Sequence, residues 1–213
     1  MKKYILLILS GILFSSTWQP INSNEPSFAK KELEESNINS SIINFNVDGF
    51  YHHEVETLQG DSWTVKVPGG ASLLEEGNPD LNKVSASIII PDDAQMGIDI
   101  LNSEYIDYAN IELASSKGNL SRKIDPTTIP YTYNNNYTTN AFYPGKLADL
   151  DNPFILRDVR GQSVRIYPVQ YNPTTKVLRI YSKINFIIKS KNISGINSLS
   201  RKSHLIKSNS EYM

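Results

Sequence analysis

Asn152-Pro-Phe-Ile-Leu-Arg-Asp-Val-Arg-Gly-Gln-Ser-Val-Arg-Ile-Tyr-Pro-Val-Gln-Tyr-Asn-Pro-Thr-Thr-Lys-Val-Leu-Arg-Ile-Tyr-Ser-Lys-Ile-Asn-Phe-Ile-Ile-Lys189 reads as a long β-hairpin. On its second arm Leu178, Ile180, Ile184, Phe186 and Ile188 share one parity, and Arg179, Lys183 and Asn185 take the other. A period of two marks a strand with one buried face. On the first arm Val164 and Ile166 point one way, Arg165 and Tyr167 the other. Between the arms Asn172 can cap a turn through its side chain, and Pro173 presets φ for the second turn position.

The pattern continues outward. Ile43, Phe45 and Val47 alternate up to Asp48-Gly49. Residues 50–58 and 62–67 form a second hairpin about Gln59-Gly60-Asp61. Residues 84–90 are nearly continuous in apolar and β-branched types, which predicts a strand buried on both faces. Met96, Ile98 and Ile100 form another alternating set, and residues 105–113 a further strand. No segment carries a helical period. Short strands punctuated by Pro and Gly predict an all-β fold, an antiparallel β-sandwich or jelly roll.

The pattern fails between Ala114 and Leu150, where Asn and Pro are interleaved with Tyr131, Tyr133, Tyr137, Phe142 and Tyr143. A loop of this length inside a domain is either functional or disordered, and disorder rarely carries so many aromatics. Tyr with Asn suits a binding surface, because Tyr offers a large rigid area at small entropic cost. The same tyrosines could instead plug the end of the sandwich. Arg122, Lys123 and Lys146 are the cations near its ends.

The 213 residues carry a formal net charge of −1 and no cysteine. The charge balance excludes broad attraction to nucleic acid, and disulfides and thiolate metal sites are excluded outright. Met1-Lys2-Lys3, then an apolar run to Phe14 and small residues, read as a secretory signal peptide, too short to span a bilayer. The expected organisation is a signal peptide over 1–23, a polar leader over 24–41 with a helical turn or two within 28–35, a sandwich over 42–190 and a polar tail over 191–213. The mature chain is expected to be exported and free of membrane. His52-His53-Glu54 makes a poor metal site, since neighbours on a strand face opposite ways. His204 lies in the polar tail. No nucleophile elbow or phosphate loop is present, so neither catalytic residues nor a cofactor are expected.

Several longer motifs occur in an order that is informative. They are Gly77-Asn-Pro-Asp-Leu81, Ile90-Pro-Asp92, Ser116-Lys-Gly-Asn119, Ile124-Asp-Pro126, Ile129-Pro-Tyr131, Ala141-Phe-Tyr-Pro-Gly145, residues 152–162 and residues 171–181. Together they resemble the N-terminal prodomain of gingipain-type cysteine endopeptidases, peptidase family C25, over about residues 43–189. The resemblance implies a β-sandwich that blocks the active-site cleft of a secreted bacterial protease until cleaved, and that assists folding of the catalytic domain. The family's enzymes cut after Arg or Lys, which implies a basic side chain offered to the specificity pocket. Tyr143-Pro144-Gly145-Lys146 is the expected cleft-binding loop, with Lys146 as anchor and Lys146→Ala expected to weaken inhibition at least tenfold. Arg122-Lys123 is the expected processing site. Without a cysteine this chain is not itself a protease, and its expected partner is a C25 catalytic domain. Two other readings stay open: a secreted carbohydrate-binding sandwich using Trp63 and the loop tyrosines, and an inactive remnant of a truncated gene.

Overall fold

The computed structural model describes residues 16–200; most of the expected signal peptide, and the tail from residue 201 with His204, lie outside the described residues. Thirteen strands follow in order: β1 Thr17–Pro20, β2 Lys30–Ser36, β3 Ser40–Asn46, β4 Gly49–Thr57, β5 Gly60–Lys66, β6 Ala71–Ser72, β7 Asn82–Ile89, β8 Ala94–Tyr108, β9 Ala148–Leu150, β10 Phe154–Leu156, β11 Val159–Ile166, β12 Val169–Asn172 and β13 Val177–Ser194. No α-helix occurs among the described residues, and every strand ladder is antiparallel. One sheet runs β1-β4-β5; a second runs β10-β11-β7-β6 with β9 also on β11. In the third, β8 lies along one side of β13 while β12 and β3 share the other, and β2 closes the edge. The core gathers Phe45, Phe50, Val84, Val164, Ile166, Val169, Leu178, Ile180, Ile184, Phe186 and Ile188 from all three sheets.

The alternation of Leu178 to Ile188 is buried as expected: the five apolar residues of that parity, Leu178, Ile180, Ile184, Phe186 and Ile188, are fully buried. The hairpin is shorter than its pattern suggests. Only Val169–Asn172 pairs with Val177–Ile180 across the turn, where the Asn172 side chain accepts from the N–H groups of Thr174 and Thr175 at 3.1 and 3.3 Å. Upstream of Tyr167-Pro168 the chain crosses to the second sheet, where β11 pairs with β7, β9 and β10. Pro168 has no N–H for a ladder, so the register ends there. The buried apolar residues shift from even positions on β11, Val164 and Ile166, to odd positions on β12, Val169 and Tyr171, so the alternation slips by one residue at the crossing.

Three further expectations change. Met96 to Tyr108 belongs to one continuous strand, not two, because β8 follows β13 along most of its length through local bulges. β7 is buried on one face only; Ile89 at its end is 73% exposed. The leader is paired into sheet rather than solvated or helical, since β2 pairs with β3; β1, within the range expected for the signal peptide, pairs with β4. All seven residues of β2 are exposed, as befits a charged edge strand, and such a strand is indistinguishable in composition from a loose leader. Asp48 holds this region, accepting from Ser27 Oγ at 2.7 Å and Lys30 Nζ at 2.8 Å. Gly49 lets the Trp18 ring lie against the backbone; a Cβ there would fall 2.3 Å from Trp18 Cζ2.

The tail is also partly structured. Arg160 is completely buried, and its guanidinium donates to the carbonyls of Pro91, Ala94, Ile196 and Asn197 at 2.6–2.9 Å. That node ties the turn between β7 and β8 to the segment leaving β13.

Candidate functional site

The irregular segment between β8 and β9 stands on one short stretch, Gly77-Asn78. Ser116 exchanges backbone hydrogen bonds with both residues, at 2.9 and 2.7 Å, and Asn134 N–H donates to the Gly77 carbonyl at 3.0 Å. Asn78 Oδ1 accepts from the side-chain amides of Asn134 and Asn136. Gly77 has φ +75°, and a Cβ there would press on Asn134 at 3.3 Å, so glycine fits both the conformation and the space. These contacts divide the segment into an outer loop between Ser116 and Tyr131 and an inner loop from Asn134 to Lys146.

The inner loop turns its aromatics toward the body. Tyr137 donates to the Leu113 carbonyl at 3.1 Å and packs edge-on with Tyr133. Tyr143 pairs its backbone with Tyr171 through bonds of 2.9 and 3.0 Å and donates its hydroxyl to Glu75. Burial, then that bond, pushes its phenol well up; burial likewise pushes the Tyr171 phenol up to about 12. Phe142 lies 4.1 Å from the Arg179 guanidinium, whose other ring neighbour is Tyr105 at 3.9 Å, while Asp107 holds Arg179 with two hydrogen bonds. Asn and Thr occupy the outward positions. Of the two readings of this loop, the plug is the one its tyrosines follow, and the aromatic outward face is not formed. Trp63, the other proposed sugar platform, is stacked on His52 at 4.0 Å.

Pro144 follows a cis peptide, and Gly145 takes φ +77°. Lys146 is half-exposed, but its ammonium is committed: it is ion-paired with Asp149 and lies 5.6 Å from the Tyr167 ring centre. The Asp149 bond holds the Lys146 pKa above its ordinary value. Burial works to raise the Asp149 carboxyl, yet Lys146, then the Leu150 N–H and Arg165, bring it below the usual range. Arg165 continues the chain of charges to Asp151.

The outer loop is built the other way. Residues 121–128 are all exposed. Asp125 caps a single 3-10 turn, Pro126–Thr128, by accepting from Thr127 N–H at 2.9 Å. Lys117 Nζ donates to the Pro126 carbonyl at 2.8 Å across the neck. At the tip, the Arg122 and Lys123 side chains have neither a hydrogen bond nor an ion pair among the described residues. No hydrogen bond or ion pair among the described residues joins Arg122 or Lys123 to Lys146. It adds Arg160 and Asp80, neither of which was singled out from the sequence as a site residue.

The Propeptide_C25 family model matches residues 23–210. The chain belongs to the C25 propeptide family. The matched portion is the propeptide, not a peptidase domain. Gingipain R1 of Porphyromonas gingivalis is 39% identical over 170 residues, 80% of this chain and 17% of the relative. Gingipain R2 of the same species is 34% identical over 204 residues, 94% of this chain and 28% of the relative. The C25 propeptide thus spans under a third of these curated relatives. Among solved structures, the complex of P. gingivalis RgpB pro- and mature domains superposes with a TM-score of 0.78 at 35% identity, over 80% of this chain and 88% of that one. A gingipain K structure described in terms of zymogenic latency shares the fold, with a TM-score of 0.69 at 20% identity, over 83% of this chain and 99% of that one.

Proposed function

We propose that this C25 propeptide binds a C25 cysteine protease, holds it latent by filling its active-site cleft and assists its folding. Family membership and the likeness to a prodomain solved together with its mature domain support the partner. The observation that carries the mode of binding is the contrast in cations: the outer loop presents Arg122 and Lys123 unspent on a tethered, fully exposed tip, whereas Lys146 is already paired with Asp149. The basic side chain entering the specificity pocket is therefore assigned to Arg122 or Lys123. The same tip is the natural place for processing, because exposed loop tips are where proteases cut. Export through the N-terminal basic and apolar residues completes this reading; N-terminal sequencing of the chain recovered outside the cells checks it.

The test compares inhibition constants of a C25 catalytic domain with the parent chain, Arg122→Ala, Lys123→Ala and Lys146→Ala. Removing one partner of a buried charge pair costs about 2–5 kcal/mol, so loss of the true anchor weakens inhibition at least tenfold. Arg122→Ala or Lys123→Ala is expected to do so, with Lys146→Ala within threefold of the parent. The reverse result returns the anchor to Lys146, whose half-exposed ammonium keeps that second reading open. No inhibition by the parent chain overturns the latency reading itself.

A further inference from the structure

Beneath the outer loop lies a cleft of about 420 Å³, lined among others by Asp80, Ser115, Lys117, Leu120 and Tyr131. We propose that this cleft is a binding site for one basic side chain, a lysine or arginine carried by a docked protein chain, with the Asp80 carboxylate as its counter-ion.

Asp80 is part-buried, with no hydrogen bond or ion pair to its carboxylate among the described residues. The neighbouring charges Lys117, Glu75 and Asp125 are already engaged. Lys117 donates to the Pro126 carbonyl and sits 4.2 Å over the Tyr131 ring. Glu75 accepts from Tyr143 and Asn78, and Asp125 from Thr127. Glu76 packs against Gly118, adding negative charge to the same end. Ser115 gives a second, independent sign of an unfilled site: it is 1% exposed, and its Oγ has no partner. A desolvated carboxylate without a cation is costly, and an incoming ammonium or guanidinium removes that cost. Burial raises the Asp80 carboxyl to about 6, which is the cost in another form. Leu120 and Tyr131 supply the apolar wall that the methylene stem of such a side chain requires. The location on the outer loop places the site beside the tip assigned above to the protease cleft, and the identity of the occupant as a side chain of the protease rests on that reading.

The test has two arms. In the first, amide spectra of the free chain are followed while agmatine, N-acetyl-lysine methylamide or neutral N-acetyl-norleucine methylamide is added. The basic ligands are expected to give saturable shifts at residues 115–120 and Tyr131, the neutral ligand none, and Asp80→Asn to weaken the effect at least tenfold while still melting cooperatively. Absence of saturable shifts with the basic ligands, or equal shifts in Asp80→Asn, overturns the site. In the second arm, the chain is bound to a C25 catalytic domain. Weaker binding of Asp80→Asn, about tenfold, together with loss of the agmatine shifts in the complex, supports a protease side chain as occupant. If agmatine binds the free chain and still binds the complex, a side chain of the protease is overturned as the occupant. Because the first arm uses no protease, failure of the latency reading and failure of the site are told apart.

Discussion

Arg160 and Arg122 carry the same guanidinium into opposite surroundings. Arg160 spends four of its five donors on backbone carbonyls from two segments, and water does not reach it. Arg122 spends none within the described residues and stands on an exposed tip. A guanidinium brought into a core has to be satisfied there, so its bonds become part of the fold. One left unsatisfied at the surface costs the fold nothing and keeps its donors for another molecule. The first arginine serves the architecture and the second is available for recognition.

Three measurements break or sharpen that contrast. Arg160→Met is expected to lose about 3 kcal/mol or more in urea unfolding, because four buried carbonyls lose a charged donor, with the earliest amide exchange at residues 195–200. Arg160→Lys should recover less than half of the loss, since an ammonium cannot span both segments. A cost below about 1 kcal/mol would dissolve the distinction. Next in size is the pH dependence set by Asp80. Its carboxyl is raised from 3.8 to about 6 by burial, so the folded chain holds a proton that the unfolded chain releases. Its contribution is complete below the unfolded value and is lost as pH rises through about 6, by at most about 3 kcal/mol. Asp80→Asn should therefore be more stable than the parent at pH 7.5, with the two converging near pH 4; parallel stability curves would refute this. The smallest effect concerns the tip. Arg122→Ala and Lys123→Ala together should change unfolding stability by less than about 0.5 kcal/mol, and a larger loss would mean that the tip serves the body after all.

Much of the scaffold could be read in advance, because a half-buried strand writes its buried face into every second residue. Leu178 to Ile188 is the clearest case, and the Asn172-Pro173 turn is another. The crossing at Pro168 left one sign, a slip of the apolar parity from Val164 and Ile166 to Val169 and Tyr171, which a single continuous hairpin arm would not show. The leader escaped this logic because an exposed edge strand such as Lys30–Ser36 has no apolar face to reveal it. At the site, Arg122 and Lys123 were visible as residue types. That Lys146 is spent on Asp149 required three dimensions, although the i,i+3 spacing was a hint. Arg160 did leave a sign: it shares the parity of Val164 and Ile166, where a charge is out of place. Asp80 left none, because an unpaired carboxylate in a cleft is defined by what does not surround it.

The neck of the outer loop has a further consequence. Lys117 joins Pro126 across it, and Ser116 and Asn134 are both fastened to Gly77-Asn78. A chain nicked between Arg122 and Ile124 would keep both new ends moored to the sandwich. Severing the tip would thus alter what the loop offers without loosening the body behind it, and clearance of the whole domain would have to begin elsewhere.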